Sequence, residues 1–172
     1  TVIRKQNPAE ALALLDEAIL LSEKIPEHNK LTAKAKVEKA YCFISLQNFK
    51  SALTTFHDAS GIYRTENDYE GIINCLQNRA ELYTQLGDSP RAIELLIERL
   101  KQCRTHHDEP RYAENLNALG KIFAAHGNLE RGIENFKEAA KLFEKLGMKP
   151  QMADSFIHLG NTFYSAHEYD KA

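Results

Sequence analysis

The stretch Leu116-Asn117-Ala118-Leu119-Gly120-Lys121-Ile122-Phe123 decides how this chain is read, because its pattern returns 40 residues later as Phe156-Ile157-His158-Leu159-Gly160-Asn161-Thr162-Phe163. In both, a large apolar residue is followed by Leu-Gly and then by Phe at fixed distances. Forty residues earlier the same positions hold Leu76, Arg79, Ala80 and Tyr83. Another step back finds Lys36, Lys39, Ala40 and Phe43, which keep the small residue and the aromatic while losing the apolar residues before them. A displacement kept over four copies marks an internal repeat, and a repeat governs the fold before any domain count does.

Each copy carries a second signature. Ala52, Phe56, Ala59 and Tyr63 stand at offsets 0, 4, 7 and 11, and the same offsets give Ala92, Leu96, Arg99, Cys103 and then Gly132, Phe136, Ala139, Phe143. That spacing is one face of an α-helix. An earlier version, Ala11, Leu15, Ala18, Ser22, is displaced by 41, and Ala172 is the first residue of a further one. Gln47-Asn48, Gly87-Asp88-Ser89-Pro90, Gly127-Asn128 and His167-Glu168 separate the two signatures. There Gly suits a left-handed helix end, and Asp, Asn or Ser caps the helix that follows. Between copies stand Glu66-Asn67-Asp68, His106-His107-Asp108-Glu109-Pro110 and Gly147-Met148-Lys149-Pro150, polar or Gly/Pro breaks that close a longer second helix. The expectation is eight helices, at 9–24, 31–46, 50–65, 70–86, 90–105, 111–126, 130–146 and 151–166. They form one array: residues 1–29 as the second helix of a truncated repeat, 30–69, 70–109 and 110–149 as whole repeats, and 150–172 as another truncated one. The chain then reads as a window of a longer protein.

These residues resemble the tetratricopeptide repeat. Leu116-x-x-Leu119-Gly120-x-x-Phe123 followed by Gly132-x-x-x-Phe136 matches the order of apolar, Leu-Gly, aromatic, small and Phe positions in that helix-turn-helix unit. The resemblance implies an all-α fold, a right-handed α-α superhelix or solenoid of helical hairpins whose first helices line a concave groove. The family's usual period is about 34 residues, so the extra six are expected in the second helix and the loop between repeats. Such long repeats look more like those of signalling and scaffold members than those of co-chaperones. Lys36, Lys39, Arg79 and Arg99 stand where the family pattern has apolar or small residues.

Composition narrows the function. Of 172 residues, 43% are hydrophobic and 27% charged, with 8 Gly and 5 Pro, which fits a folded chain with a real core. No apolar run approaches the roughly 18 residues of a membrane span. A net charge of −2 gives no basic field for nucleic acid, and the expected groove carries Glu38, Glu81, Glu114 and Asp154 against Lys34 and Lys121. Three widely spaced cysteines, Cys42, Cys75 and Cys103, argue against a disulfide framework and for a reducing compartment, the cytoplasm. No phosphate-cradling glycine motif occurs. Cys103-x-x-His106-His107-Asp108 is a poor metal site, because Cys103 takes the inward slot of Tyr63 and Phe143. Neither a cofactor nor a metal is expected, and nothing in the pattern does chemistry.

A protein-interaction module that binds a peptide or partner helix in its groove is the expected function. The alternative is a regulatory or self-associating scaffold segment of a larger signalling or enzyme protein. Candidate groove residues are Asn74, Gln77, Asn78, Glu81 and Gln85, then Glu114, Asn117 and Lys121, then Ile157, His158, Asn161 and Tyr164. An amide side chain both donates and accepts, so such a row can pair with a peptide backbone without reading its sequence. The blander reading of these residues is a solvated face. A carboxylate clamp of the co-chaperone kind is disfavoured, since Glu81 and Glu114 stand beside Lys121 and Asn161. Val37, Tyr41 and Ile44 form an apolar end patch, open to a partner or covered by a neighbouring helix. Uncapped repeats expose stacking faces, so end-to-end homo-oligomerisation is also expected.

Overall fold

A computed structural model describes residues 7–25 and 29–169. They form eight helices and no strand: α1 (Pro8–Glu23), α2 (Asn29–Ser45), α3 (Phe49–Thr65), α4 (Tyr69–Gln85), α5 (Ser89–Thr105), α6 (Glu109–Ala125), α7 (Leu129–Lys145) and α8 (Lys149–Tyr169). Every helix expected from the repeat is present, and the fold is an all-α helical-repeat solenoid. The expected longer second helix is not. Helices α2 to α7 each contain 17 residues, whichever half of the repeat they serve. The residues in excess of the shorter family period are therefore shared equally between both helices.

The turns explain this. All six linkers from α2 to α8 have three residues, and the middle one is left-handed each time: Gln47 (φ 57°), Asn67 (52°), Gly87 (74°), His107 (55°), Gly127 (76°) and Gly147 (71°). Asn48, Asp68, Asp108, Asn128 and Met148, each next after such a residue, donate their N–H back five residues, as in Asn48 to Phe43 O at 2.8 Å, Asp108 to Cys103 O at 2.9 Å and Asn128 to Phe123 O at 2.9 Å. This is the Schellman arrangement, which satisfies the last carbonyls of the outgoing helix. The same residue caps the incoming helix, Asn48, Asp68, Asp88, Asp108 and Asn128 accepting from the backbone N–H three positions on. Accepting from Gly71 N–H is the main reason that the Asp68 carboxyl is held below the ordinary carboxylate range. Pro110, expected in a loop, lies in the first turn of α6, where its missing N–H costs nothing. Left-handed backbone costs a residue with a Cβ about 1–2 kcal/mol. His107→Gly should accordingly raise the denaturation midpoint and Gly127→Ala lower it, each by about 1 kcal/mol in equilibrium unfolding.

Two compact units divide the chain, Thr1–Leu86 and Gly87–Ala172. In the first, Val37, Ala40, Ala52, Phe56, Ala59, Cys75 and Leu82 form the core, with Tyr41, Phe43, Ile44, Phe49, Leu53 and Tyr63 packed around it. Tyr41 meets Phe56 edge-on at 5.3 Å. The lysines that break the repeat pattern are paired across α1 and α2: Lys36 lies 3.6 Å from Glu23, and Lys39 pairs with Asp16. In the second unit, Ala113, Leu116, Ala139 and Phe143 are central, and Leu100, Tyr112, Leu142, Met148 and Met152 surround them. Arg99, in the slot that Ala59 and Ala139 fill in the other copies, is buried, with Nη1 3.5 Å from Arg111 O and Nη2 3.8 Å from Glu114. Gly120 allows a close approach: a Cβ built there would stand 2.7 Å from Cε1 of the buried Phe136 ring.

Candidate functional site

The repeat sorts the outer residues of the first helices, α2 and α4 in one unit and α6 and α8 in the other, into rows 40 apart. Lys34, Asn74, Glu114 and Asp154 are exposed. Glu38, Asn78, Ala118 and His158 are half-buried, and Tyr41, Glu81, Lys121 and Asn161 run from half-buried to exposed. These rows, with Ser45, Gln85, Ala125 and Ser165, make the open face of the first helices.

The row Val37, Gln77, Asn117 and Ile157 is different. Val37 and Asn117 are each only 6% exposed. Val37 packs in one cluster with Cys75 of the next first helix, and the equivalent Ser155 hydroxyl lies 3.0 Å from Asn117 Oδ1 and 3.0 Å from Gln151 O. Val37 and Asn117 thus lie in the seam between the two first helices of their own unit. One expectation is corrected by it. Asn117 is not a groove residue but a buried acceptor in the α6–α8 seam. For Val37, Tyr41 and Ile44 the covered alternative fits: Val37 is buried, and Tyr41 and Ile44, half-buried, pack against the core that Phe56, Cys75 and Leu82 share. Ile157, on the same row, is 60% exposed because none of the described residues forms a helix beyond α8.

The remaining candidates lie as follows. On α4, Asn78 donates through Nδ2 to Asn74 O at 2.8 Å and to Asn74 Oδ1 at 2.7 Å, and Gln77 donates through Nε2 to Glu81. Gln85 is exposed at the end of that helix. In the second unit Asp154 gathers a lysine and an imidazole: Lys121 Nζ is 3.4 Å from Oδ2, and His158 Nε2 is 3.4 Å from Oδ1. The His158 ring stacks on Phe136 at 5.3 Å and 19°, so the core itself orients it. Glu114 is exposed near Arg99, Asn161 is exposed, and Tyr164 is 71% exposed.

No group of three or more His, Cys, Asp or Glu among the described residues is arranged for a metal. All three cysteines are buried and none is in a disulfide. Burial pushes the Cys75 thiol up to about 12 despite Arg79 and Arg64 nearby, which removes the thiolate that nucleophilic chemistry needs. One pair escaped the sequence. His126 Nδ1 lies 2.9 Å from Ile122 O and its Nε2 lies 2.9 Å from Ser89 Oγ. With Nδ1 donating to the carbonyl, Nε2 accepts the hydroxyl of the buried Ser89, tying the start of α5 to the end of α6. The spacing of 37 residues between them carries no motif. Among the described residues no helix is long and apolar enough to cross a membrane.

Known proteins share this geometry. BtubC (BKLC) from P. vanneervenii superposes with a TM-score of 0.82 at 20% identity, covering 99% of this chain and 71% of that one. Aspartyl phosphate phosphatase F from Bacillus subtilis gives a TM-score of 0.82 at 12% identity, covering 96% of this chain and 43% of that one. The Rap conjugation gene regulator of the plasmid pLS20, in complex with a Phr peptide, gives 0.61 at 15% identity, covering 96% of this chain and 50% of that one. The chain thus spans no more than half the length of the last two. No curated protein matches the sequence. Residues 1–107 match the sequence model of the soluble NSF attachment protein, SNAP, and so the chain, built as a tetratricopeptide-like helical repeat, belongs to the soluble NSF attachment protein family.

Proposed function

We propose that this chain is a non-catalytic protein-interaction module, and that the open face of its first helices takes up a peptide or a partner helix. The amide row of α4 carries the reading. Asn74, Asn78, Glu81 and Gln85 stand on that face, and Asn78 donates to the Asn74 carbonyl and side chain along the helix. An amide side chain carries an acceptor as well as donors, so this row suits a peptide backbone. In the second unit Lys121, Asp154, His158 and Asn161 offer a similar polar face, and the small side chains of Ala118 and Ala125 leave room over it. The Rap structure with its peptide and a family named for attachment to NSF are both consistent with binding rather than catalysis.

The test is a displayed library of linear peptides selected on the wild type, followed by titration of the selected peptides. Asn74→Ala with Asn78→Ala in the first unit, or Lys121→Ala with Asn161→Ala in the second, should weaken binding by roughly tenfold or more, about 1.4 kcal/mol. Helix content and the unfolding midpoint should stay within the scatter of surface variants, about 0.5 kcal/mol. Selected peptides that bind both pairs of variants unchanged would remove the open face from consideration.

A further inference from the structure

Inside the second unit, the junction of α5 with α6 is built from different chemistry than the two junctions that repeat it, α3 with α4 and α7 with α8. Ser89 Oγ, at the start of α5, lies 2.9 Å from His126 Nε2 at the end of α6. In the middle of the pair Asn115 donates through Nδ2 to Leu96 O at 2.5 Å. Further along, Arg99 reaches Arg111 O at 3.5 Å and the Glu114 carboxylate at 3.8 Å, and Arg104 Nη2 donates to the Tyr112 hydroxyl at 2.9 Å. Polar contacts thus run the whole length of the pair.

The other copies fill the same places with apolar or small residues. Where α5 and α6 have Ser89, Leu96, Arg99, Asn115 and His126, α3 and α4 have Phe49, Phe56, Ala59, Cys75 and Leu86. Helices α7 and α8 have Leu129, Phe136, Ala139, Ser155 and Ala166 there. The sizes change together. A phenyl ring gives way to the smaller Leu96, a methyl group to the guanidinium of Arg99, and Cys or Ser to the larger Asn115, and all three of these side chains are buried.

Stability alone does not call for such a set. Apolar side chains of similar volume often hold a core as well as a buried ion pair or better, because the charge gives up its hydration on burial. Discrimination does call for it, since a buried polar group that meets the wrong partner is left unpaired at a large cost. Set on α3 or α7 in the way that it sits on α5, α6 would bring Asn115 onto the ring of Phe56 or Phe136. Set on α4 or α8 in the way that it sits on α6, α5 would offer Leu96 where Cys75 or Ser155 otherwise meets a ring.

We propose that Leu96, Arg99 and Asn115, with Ser89 and His126 at the end of the pair, form a pairing key. The key makes α5 and α6 fit each other and no other helix of the repeat, whether of the same chain or of a second copy. The remaining junctions, being alike, carry no such information, so this one keeps the array in a single register during folding.

A variant that copies the α7–α8 junction onto α5 and α6 tests this: Ser89→Leu, Leu96→Phe, Arg99→Ala, Asn115→Ser and His126→Ala in the full 172-residue chain. Helix content by circular dichroism should be kept, since the same residues already hold α7 on α8. Refolding separates the two proteins. Diluted from urea, the wild type should return to the sedimenting mass and the single set of backbone amide resonances that it had before. The variant should return as more than one species, among them dimers of twice the chain mass in which equivalent helices are exchanged. Should it lose helix content, Arg99→Ala with Asn115→Ser, which leaves Leu96 in place, is the second measurement and should show the same loss of a single product. A folded variant that returns as one species, or a wild type that itself returns as several, would overturn the proposal.

Discussion

Replacing Phe136 by alanine is expected to cost the second unit about 3–5 kcal/mol, enough to unfold a marginal domain. The ring is 1% exposed and lies between the Gly120 backbone on one side and the stacked His158 imidazole on the other. Removing it opens a cavity that Gly120 has no side chain to fill and that α6 and α8 cannot close without giving up their seam. The loss should appear as a lower midpoint in urea unfolding with little change in slope. It should also free His158, so that the imidazole signal in a proton spectrum loses the ring-current shift it gains from Phe136. A Phe136→Ala protein of undiminished stability would show that the ring is not the centre of this unit.

Gly120→Ala should lower stability by about 1–3 kcal/mol, and Gly160→Ala should raise it by about 1 kcal/mol. Both glycines occupy the same place in the repeat motif and both lie inside helices, so helix propensity favours alanine at each. The difference is what stands opposite. At Gly120 a new methyl would be 2.7 Å from Phe136 Cε1 and 2.9 Å from Cδ1, and the fully buried ring has nowhere to go. At Gly160 nothing among the described residues beyond its own helix backbone lies within 4 Å, so the gain in propensity stands alone. A double-mutant cycle sharpens the result, because the cost of Gly120→Ala should vanish once Phe136 is alanine. Equal effects at the two glycines, or a cost that persists without the ring, would mean that the motif glycine serves the backbone rather than the packing.

Helix positions were legible because the repeat states them several times over. A cap such as Asp88 or Asn128, a small residue such as Ala80 and an aromatic such as Tyr83 recur at fixed distances, and errors at one copy are corrected by the next. The equality of the turns was harder to see. Gln47, Asn67 and His107 adopt the same left-handed backbone as Gly87, Gly127 and Gly147, and side-chain chemistry does not announce it. The open face was legible as a set of helix surfaces but not in depth. Which outward row becomes a seam depends on how closely successive first helices approach, and that distance is set by Cys75 and Ser155, small residues whose role shows only when Val37 and Asn117 are found beneath them. Arg99 illustrates the same limit. Its place in the pattern demands a small side chain, and only the Arg111 carbonyl and Glu114 across the turn show how a guanidinium is accommodated there.

The identical turns have a bearing on how such a chain can grow or shrink. If the linker inside a hairpin and the linker between hairpins are the same three-residue device, the heritable unit is one helix with its turn, 20 residues long, and a helix does not know from its turn which side of the array it belongs to. Only its small and large residues tell it. Loss of two consecutive units leaves every later helix on its own side, while loss of one keeps every cap and every left-handed residue intact yet asks all later helices to exchange inner for outer surfaces. Insertions and deletions in a protein of this design are therefore subject to a parity rule, enforced by packing and invisible to the turns.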